Sequence, residues 1–516
     1  MSGFKKLTKP LPWFRIGLVG VFLFCVVLRF WGLSRFNTFV FDEVYYAKFA
    51  NNYLTHTRFF DGHPPLSKYI IAIGMWIGGY LPFGQDSLNS LTGSVHSTWS
   101  YRWLNALTGS FIPLVMAGIA YQLSHRRSYA LIAALLAAAD GIFLVDSRYA
   151  LNNVYLVIFG LLGQWFFLKG LEHQGFRRGL WLTLAGIGFG ASASVKWNGL
   201  GFLLGAYLVW TAAWVLRLVH YVRPSFTSDY GEPRKKTSLA YLTQLNILHI
   251  LFYLAIIPAL FYAIEWIPHL QLNPEFGFWE VQKQILEYHE RVGDGRKVHP
   301  YCSHWYTWPL MLRPVAFFYG TTQNITDPLP VMGPPLPGAD GKVVYDVHNI
   351  GNPALWWSAT AAILLMFWLL VQRFWGWLSG SRRFNVAARF DWQPVQTWIA
   401  LYLVLNWIAN LMPWIIVTRC TFLYHYMESS VFAELGLALL VDHWFSSYRR
   451  ELRGLSLTLI LLILLAFVFW MPIYLGLPLS PEAYHLRLPS MNLKLLPFGL
   501  SRWLPSWLNE WVINWI

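Results

Sequence analysis

The first long apolar run of the chain is WFRIGLVGVFLFCVVLRFWGL, residues 13–33. It reaches the roughly 20 residues needed to cross the apolar core of a bilayer. Basic residues precede it, as in a signal peptide, but the run is long and has no small-residue cleavage site. We therefore interpret it as an uncleaved first span. It is followed by FDEVYYAKFANNYLTHTRFFDGHPPLSK, residues 41–68, which concentrates charge in a chain of which only 12% is charged.

Further apolar runs of similar length recur along the 516 residues, of which 56% are hydrophobic. This composition is too apolar for a soluble protein and predicts an all-α polytopic membrane protein. A net charge of +14 is compatible with nucleic-acid binding, but the Lys and Arg clusters lie between the apolar runs, so we predict no nucleic-acid partner. The eleven predicted spans cover residues 13–33, 102–122, 129–146, 151–170, 180–195, 198–217, 244–267, 353–373, 396–416, 424–444 and 455–475.

The basic clusters fix the predicted orientation. With the N-terminus in the cytosol, every even-numbered gap between spans carries its cluster on the cytosolic side, as the positive-inside rule requires. Two large loops then face outward, residues 34–101 and 268–352, followed by an outer tail, 476–516, that ends in a tryptophan-rich interfacial helix. We accordingly divide the chain into an N-terminal catalytic module, 1–267, the loop 268–352, a four-helix module, 353–475, and the tail.

The first outer loop has a readable local structure. Asp42 is placed to cap a helix over EVYYAKFANNYL, because a carboxylate accepts bonds from the free N–H groups of the first turn. His63 precedes two prolines and is expected to be extended. Pro64 or Pro65 suits the start of a second helix through LSKYIIAIGMWIGGY, whose length leaves open whether it enters the membrane.

Two pairs of residues in this loop are candidates for chemistry. Asp42 and Glu43 are adjacent carboxylates that could act as a general base, a metal ligand or a helix cap. No second acidic cluster accompanies them, so we predict no metal and no cofactor. His63 and Lys68 could equally be a turn residue and a lysine that reaches toward lipid headgroups. Their position beside three carboxylates favours a site.

Three outward gaps between spans each contain one cation. Arg148 lies in DSRYALNNVY, Lys196 in ASASVKWNGLG and Arg419 in VTRCTFLYHY. Contact with headgroups explains any one of them, but three on one face indicate a bound anion. Phosphate is the natural candidate. The cysteines Cys25, Cys302 and Cys420 show no paired spacing and no metal pattern, and they say little about the redox compartment.

The chain resembles the protein O-mannosyltransferase family, membrane glycosyltransferases of the GT-C type. The resemblance rests on motifs that occur in the family's order over about residues 40–430. These motifs are FDEVYYAKFANNY, FFDGHPPLSKYI, YRWLNALTGS, DGIFLVDSRYALNN, SASVKWNGLG, HPYCSHWYTWPL, GNPALWW and TRCTFLYHYMESS.

The resemblance implies eleven spans, a polyprenyl-phosphate-mannose donor and an inverting transfer of mannose to Ser or Thr of a secreted or membrane protein. It also implies that Asp42 is the general base with Glu43 beside it, and that Arg148 contacts the donor phosphate near His63 and Lys68. The expected location is the plasma (inner) membrane of a bacterium, with the active site on the outer face. One departure is that Asn152 and Asn153 stand where the family often has an Asp.

Two alternatives remain open at this point. A GT-C enzyme that modifies a lipid or glycan, similar to aminoarabinose transferases, would share the donor type and differ in its acceptor. A transporter would use Asp42, Arg148 and Lys196 as pathway charges, but transport sites tend to lie in mid-membrane between broken helices. The candidate charges group on one face instead, which favours the enzyme.

Overall fold

The computed structural model describes residues 12–222, 237–295, 298–322, 342–378, 394–488 and residue 515. It is mostly helical, as expected. The helices are α1 (Trp13–Phe30), α2 (Glu43–Leu54), α3 (Leu66–Gly78), α4 (Thr98–Ser124), α5 (Arg127–Ala138), α6 (Gly141–Ser147), α7 (Asn153–Glu172), α8 (Gly175–Ala193), α9 (Leu200–Val222), α10 (Ile247–Leu272, with a π-helical part at Ile250–Ile256), α11 (Phe278–Arg291), α12 (Pro353–Leu378), α13 (Pro394–Leu411), α14 (Met427–Phe445), α15 (Arg450–Tyr474) and α16 (Pro481–Arg487). The strands are β1 (Leu88–Asn89), β2 (His96–Ser97), β3 (Val315–Thr322) and β4 (Val343–Asn349).

Eight of the described helices are long and apolar enough to cross a membrane, and a ninth span results if α5 and α6, bent by 61°, are counted together. The two other predicted spans correspond to α8 and α14, each 19 residues or about 28 Å long. Helix α8 is less apolar because it begins with two arginines and is rich in glycine, and α14 carries three acidic residues. The count of eleven therefore stays a prediction.

The bundle has inner and outer helices. Almost every residue of α14 is buried, and so is most of α7. Helices α1 and α15 instead expose apolar side chains such as Leu23 and Leu465, which is expected where helices face lipid. Helices α7 and α8 cross closely, because a Cβ on Gly188 would lie 2.8 Å from the backbone nitrogen of Gly163. Small residues allow this approach.

The first outer loop contains α2 and α3 where the sequence predicted helices. Pro65 directly precedes α3, which has 13 residues and a length of about 20 Å, too short to span the apolar core. Asp42 occupies the N-cap position of α2, but its side chain makes no capping hydrogen bond within the described structure. The prediction of a capping hydrogen bond from Asp42 is therefore wrong, and its carboxylate is available for other partners.

The described residues of the second large loop (268–352) contain the amphipathic helix α11 and an antiparallel pair of strands, β3 and β4, in which Val315 pairs with Asn349 and Thr322 with Val343. All seven residues of β4 are buried. The all-α expectation holds for the bundle, while this hairpin and the short β1–β2 pair were not predicted.

A disulfide joins Cys302 to Cys420, across 118 residues. The spacing of the three cysteines gave no sign of this pairing. Two hydrogen bonds beside it, Ser303 N to Thr421 O at 2.8 Å and Thr421 Oγ1 to Ser303 O at 2.7 Å, fix the same two loops together. The predicted interfacial helix of the tail lies outside the described residues.

Candidate active site

Glu43 is fixed by a buried ion pair that sequence reasoning missed. Its carboxylate accepts two hydrogen bonds from Arg102, Nε to Oε1 at 2.8 Å and Nη2 to Oε2 at 2.7 Å. The backbone N–H groups of Val40 and Ala150 donate to the same carboxylate, each at 2.8 Å. Arg102 also donates to three carbonyl groups between residues 33 and 38. Glu43 therefore ties the start of α2 to α4 and to the loop after α6.

Phe41, the residue before Asp42, has a φ of 54°, in the left-handed region that a bulky residue rarely adopts. Two contacts hold it there. Its N–H donates to the carbonyl of Phe317 in β3 at 3.1 Å, and the two rings stack at 4.3 Å between centroids. The hairpin of the second loop thus sets the backbone direction just before Asp42. Backbone strain held by surrounding structure is common at functional sites.

Asp42 is half-buried, and its electrostatic neighbours are Lys196 and Asp61. Burial raises the pKa of Asp42 to about 6, while Lys196 opposes that increase and Asp61 adds to it. The pKa of Lys196 is lowered by burial, an effect that Asp42 partly offsets. A carboxyl with a pKa near 6 is largely ionised at neutral pH and is still basic enough to accept a proton.

His63 and Arg419 belong to the same cluster. The ring of His63 lies 5.2 Å from that of His289 in α11. Burial lowers the pKa of His63 well below its usual value, and the positive charges of Lys196 and Arg419 lower it further. At neutral pH His63 is therefore a neutral hydrogen-bonding group and not a cation. Arg419 is half-buried and donates to the neighbouring carbonyl of Cys420 at 3.1 Å.

Lys68 is occupied elsewhere. Its ammonium group lies 2.5 Å from Asp61 Oδ2 and donates to the carbonyl of His63 at 3.1 Å and to that of Pro64. Lys68 is fully buried. These contacts close the Gly-His-Pro-Pro turn and hold His63 in place.

Arg148 points away from Asp42, toward the end of α1. Its Nη1 atom donates to the carbonyl groups of Leu28, Arg29 and Trp31 at 2.6, 3.1 and 2.9 Å, and Nη2 donates to Gly32 at 3.3 Å. Leu28 and Arg29 belong to the last turn of α1, where carbonyls have no partner within the helix, and Trp31 and Gly32 follow it directly. The geometry favours a structural role for Arg148, and no contact described here tests its predicted binding of phosphate.

Two buried carboxylates and two asparagines complete the surroundings of Lys196. Lys196 Nζ donates to Asn153 Oδ1 at 2.8 Å, and Asn153 Nδ2 donates to Asp146 Oδ1 at 3.2 Å. Asn198 donates to Glu428 Oε1. Sequence reasoning missed Asp146 and Glu428, although an acidic residue inside an apolar segment is a recognisable signal.

The structure thus divides the predicted site residues into two groups. Asp42, His63, Lys196 and Arg419 form one electrostatically coupled cluster, whereas Glu43, Lys68 and Arg148 are engaged mainly by protein groups. This cluster can supply a base and two cations to a reacting molecule. Within the described ranges, no group of three His, Cys, Asp or Glu side chains is arranged to hold a metal ion.

Comparison with solved structures establishes the architecture. The chain is similar to one from the S. cerevisiae Pmt1-Pmt2 protein O-mannosyltransferase complex bound to the sugar donor, with a TM-score of 0.71 at 16% identity, over 97% of this chain and 93% of that one. The helical bundle therefore has the GT-C architecture of membrane glycosyltransferases, as the sequence predicted.

Comparison with protein families identifies the enzyme class. Residues 19–272 match the family described as dolichyl-phosphate-mannose-protein mannosyltransferase, and residues 276–490 match the C-terminal four-transmembrane region of protein-O-mannosyltransferase. The chain belongs to the protein O-mannosyltransferase family. It is therefore a mannosyltransferase, and the alternatives of a transporter and of another acceptor class are disfavoured.

Bacterial relatives match over most of their length. The polyprenol-phosphate-mannose–protein mannosyltransferase of Corynebacterium glutamicum is 24% identical over 90% of this chain and 90% of its own. The protein of the same name from Mycobacterium tuberculosis is also 24% identical, over 98% of this chain and 94% of its own.

Proposed function

We propose that this enzyme transfers mannose from a polyprenyl-phosphate-mannose donor to Ser or Thr hydroxyls of proteins, with inversion at the sugar carbon. The hydroxyl oxygen forms a bond to C1 of mannose as the bond from C1 to the phosphate oxygen breaks. Asp42 accepts the hydroxyl proton, and polyprenyl phosphate leaves. The observation that carries this assignment is a half-buried carboxyl with a pKa of about 6 beside the buried Lys196.

Lys196 and Arg419 are the proposed partners of the departing phosphate. Both interact electrostatically with His63, which indicates that the three side chains lie close together. The charge that develops on the leaving phosphate needs positive groups already held in place, and the disulfide at Cys420 fixes the Arg419 loop. His63, neutral at working pH, is suited to a hydrogen bond with a phosphate or sugar oxygen.

Glu43, Lys68 and Arg148 are proposed as positioning residues. Glu43 holds the start of α2 through Arg102, Lys68 holds the turn at His63 through Asp61, and Arg148 holds the end of α1. We propose no resident metal or cofactor, because two protein cations beside Asp42 can offset the phosphate charge. A chelator is then expected to leave the transfer rate within about twofold.

We also propose a bacterial inner-membrane location with the site on the outer face. The positive-inside pattern and the Cys302–Cys420 disulfide, which is typical of oxidising compartments, support this orientation. An impermeant thiol reagent tests it with Val95→Cys, 68% exposed on the first outer loop, and Tyr448→Cys, 97% exposed in a predicted cytosolic gap. Labelling of intact cells at position 448 and not at 95 would reverse the orientation.

The activity itself is tested with the purified full-length chain and donor labelled in the mannose. Peptides rich in Ser and Thr, membrane lipid and a soluble glycan are offered as acceptors in parallel. Label on the hydroxyl of peptide Ser or Thr, with the anomeric configuration of the product opposite to that of the donor when checked by NMR, supports the proposal. Label on lipid or glycan alone would instead favour the other GT-C acceptor class.

A further inference from the structure

Asp146 and Glu428 each keep one carboxylate oxygen without a hydrogen-bond partner. Asp146 is fully buried and Glu428 is 2% exposed. One oxygen of each accepts a bond from an asparagine amide, but Asp146 Oδ2 and Glu428 Oε2 have no partner among the described residues. A buried polar atom left unpaired is costly, so these two oxygens are acceptors that a ligand would satisfy.

Both carboxylates belong to the same electrostatically coupled cluster as Asp42. Lys196 interacts electrostatically with Asp42, Asp146 and Glu428, and Glu428 also interacts with Asp146. Their positions are fixed by converging helix ends, since Asp146 lies at the end of α6 and Glu428 at the start of α14. Asn153, at the start of α7, bridges Lys196 and Asp146.

The chemistry of these two oxygens favours a hydroxyl group as the partner. A carboxyl oxygen accepts hydrogen bonds, and a hydroxyl group donates one. A sugar ring offers several hydroxyl donors on a rigid frame. Lys196 can then hold the phosphate while the two carboxyl groups hold the sugar.

We propose that Asp146 and Glu428 form a subsite that accepts hydrogen bonds from two hydroxyls of the hexose being transferred. Asn153 and Asn198 orient the two carboxylates by occupying their other oxygens. The inference rests on the proposed function, because it assigns the sugar end of the same donor. It makes these residues determinants of sugar specificity, separate from the base and from the phosphate partners.

The test compares two lipids that differ only in the sugar, polyprenyl-phosphate-mannose and polyprenyl phosphate, in binding to the full-length protein. Glu428→Gln and Asp146→Asn are each expected to weaken binding of the mannose-bearing lipid about 10- to 100-fold, because the amide nitrogen that replaces the free oxygen accepts no hydrogen bond. Binding of polyprenyl phosphate is expected to stay within about twofold. The control is Glu434→Gln, another buried carboxyl of the same helix, whose electrostatic neighbour is Asp140. Equal loss for both lipids, or no loss for either, would overturn the proposal.

Donors that lack single hydroxyls test the wild-type protein without any substitution. Removal of two of the ring hydroxyls should weaken wild-type binding about 10-fold or more each, and removal of one of these should have little further effect in Glu428→Gln. Uniform tolerance of every deoxy donor by the wild type would contradict the subsite. Failure of the mannosyl-transfer function is distinct, because the wild type would then bind both lipids equally and form no product.

Discussion

Two cationic regions flank the adjacent carboxylates Asp42 and Glu43, and they differ in how completely their charges are paired. On the Glu43 side, all three guanidinium nitrogens of Arg102 donate to Glu43 or to carbonyls of residues 33–38, and Arg148 donates through Nη1 and Nη2 to carbonyls of residues 28–32. On the Asp42 side, Lys196 makes one close hydrogen bond, to Asn153, in a space that also contains unpartnered carboxylate oxygens.

This difference separates structural from functional charge. A saturated buried ion pair gives nothing to a ligand, and removing one partner leaves the other unpaired. A buried charge with unsatisfied neighbours carries a cost that substrate binding can offset, and its pKa is shifted by burial. Neighbouring acidic residues of one motif therefore take different roles. Substitutions on the Asp42 side should lower the transfer rate, whereas substitutions on the Glu43 side should lower the stability of the fold.

The largest effect is expected for Asp42→Asn. The transfer rate should fall by about 1,000-fold or more, because the hydroxyl loses its proton acceptor, while the thermal midpoint stays unchanged. Initial rates with purified protein and a peptide acceptor measure this loss. Asp86→Asn, an exposed carboxylate of the same loop, serves as the control. Near-normal turnover by the Asp42→Asn variant would remove Asp42 as the base.

The next effect is expected for Lys196→Gln. Loss of a preorganised cation at the leaving phosphate should lower the rate by about 100-fold. Donor binding should weaken as well, and this is measured with polyprenyl phosphate. Lys283→Gln, an exposed lysine paired with Glu287, is the matched control. A variant that keeps wild-type rate and donor affinity would exclude Lys196 from the phosphate site.

On the Glu43 side, Glu43→Gln is expected mainly to lower the free energy of unfolding. Breaking the buried pair with Arg102 is expected to cost about 3–5 kcal/mol of unfolding free energy, because the guanidinium stays buried without its counter-charge. Thermal unfolding of the purified protein measures the shift. Glu275→Gln breaks the exposed pair with Arg58 and should cost less than about 1 kcal/mol. Equal midpoints for both variants would contradict the structural role of Glu43.

The smallest catalytic effect is expected for Arg148→Lys. Lysine keeps the positive charge but lacks the planar fork that reaches several carbonyls of the α1 end. Stability should fall by about 1–3 kcal/mol, while the KM for donor stays within about threefold in the folded fraction. Arg58→Lys, an exposed arginine, is the control. An unchanged thermal midpoint together with a large rise in the KM for donor would contradict the structural role and support phosphate binding by Arg148.

Local features of the fold were predictable from the sequence. The helix over residues 43–54, the break at Gly-His-Pro-Pro and the start of α3 after Pro65 all follow from residues close in sequence. The family's motifs indicated Asp42 as a candidate base, and the cations between predicted spans indicated Lys196. Their order and spacing made the GT-C architecture and the enzyme class accessible without coordinates.

Long-range partners were not predictable. The Cys302–Cys420 disulfide closes over 118 residues, and the Glu43–Arg102 pair over 59, so spacing alone gave no sign of either. The missing capping hydrogen bond at Asp42 also depends on a distant contact. The backbone of Phe41 is held by β3, almost 280 residues further along the chain. Which cations face the substrate depends on such contacts, and this is why the sequence grouped Arg148 with Lys196.

The pH dependence of transfer by the wild type and by Lys196→Gln tests the role of Asp42 most directly. With a folded pKa of about 6, Asp42 gains a proton as the pH falls, so kcat/KM should fall tenfold per pH unit below that value. Lys196 lowers the pKa of Asp42, so its loss should move the acid limb to higher pH. We expect this displacement of the acid limb to appear in the acidic part of the kcat/KM profile. A wild-type profile that is flat between about pH 5 and 8, or an acid limb unmoved in the variant, would contradict the account.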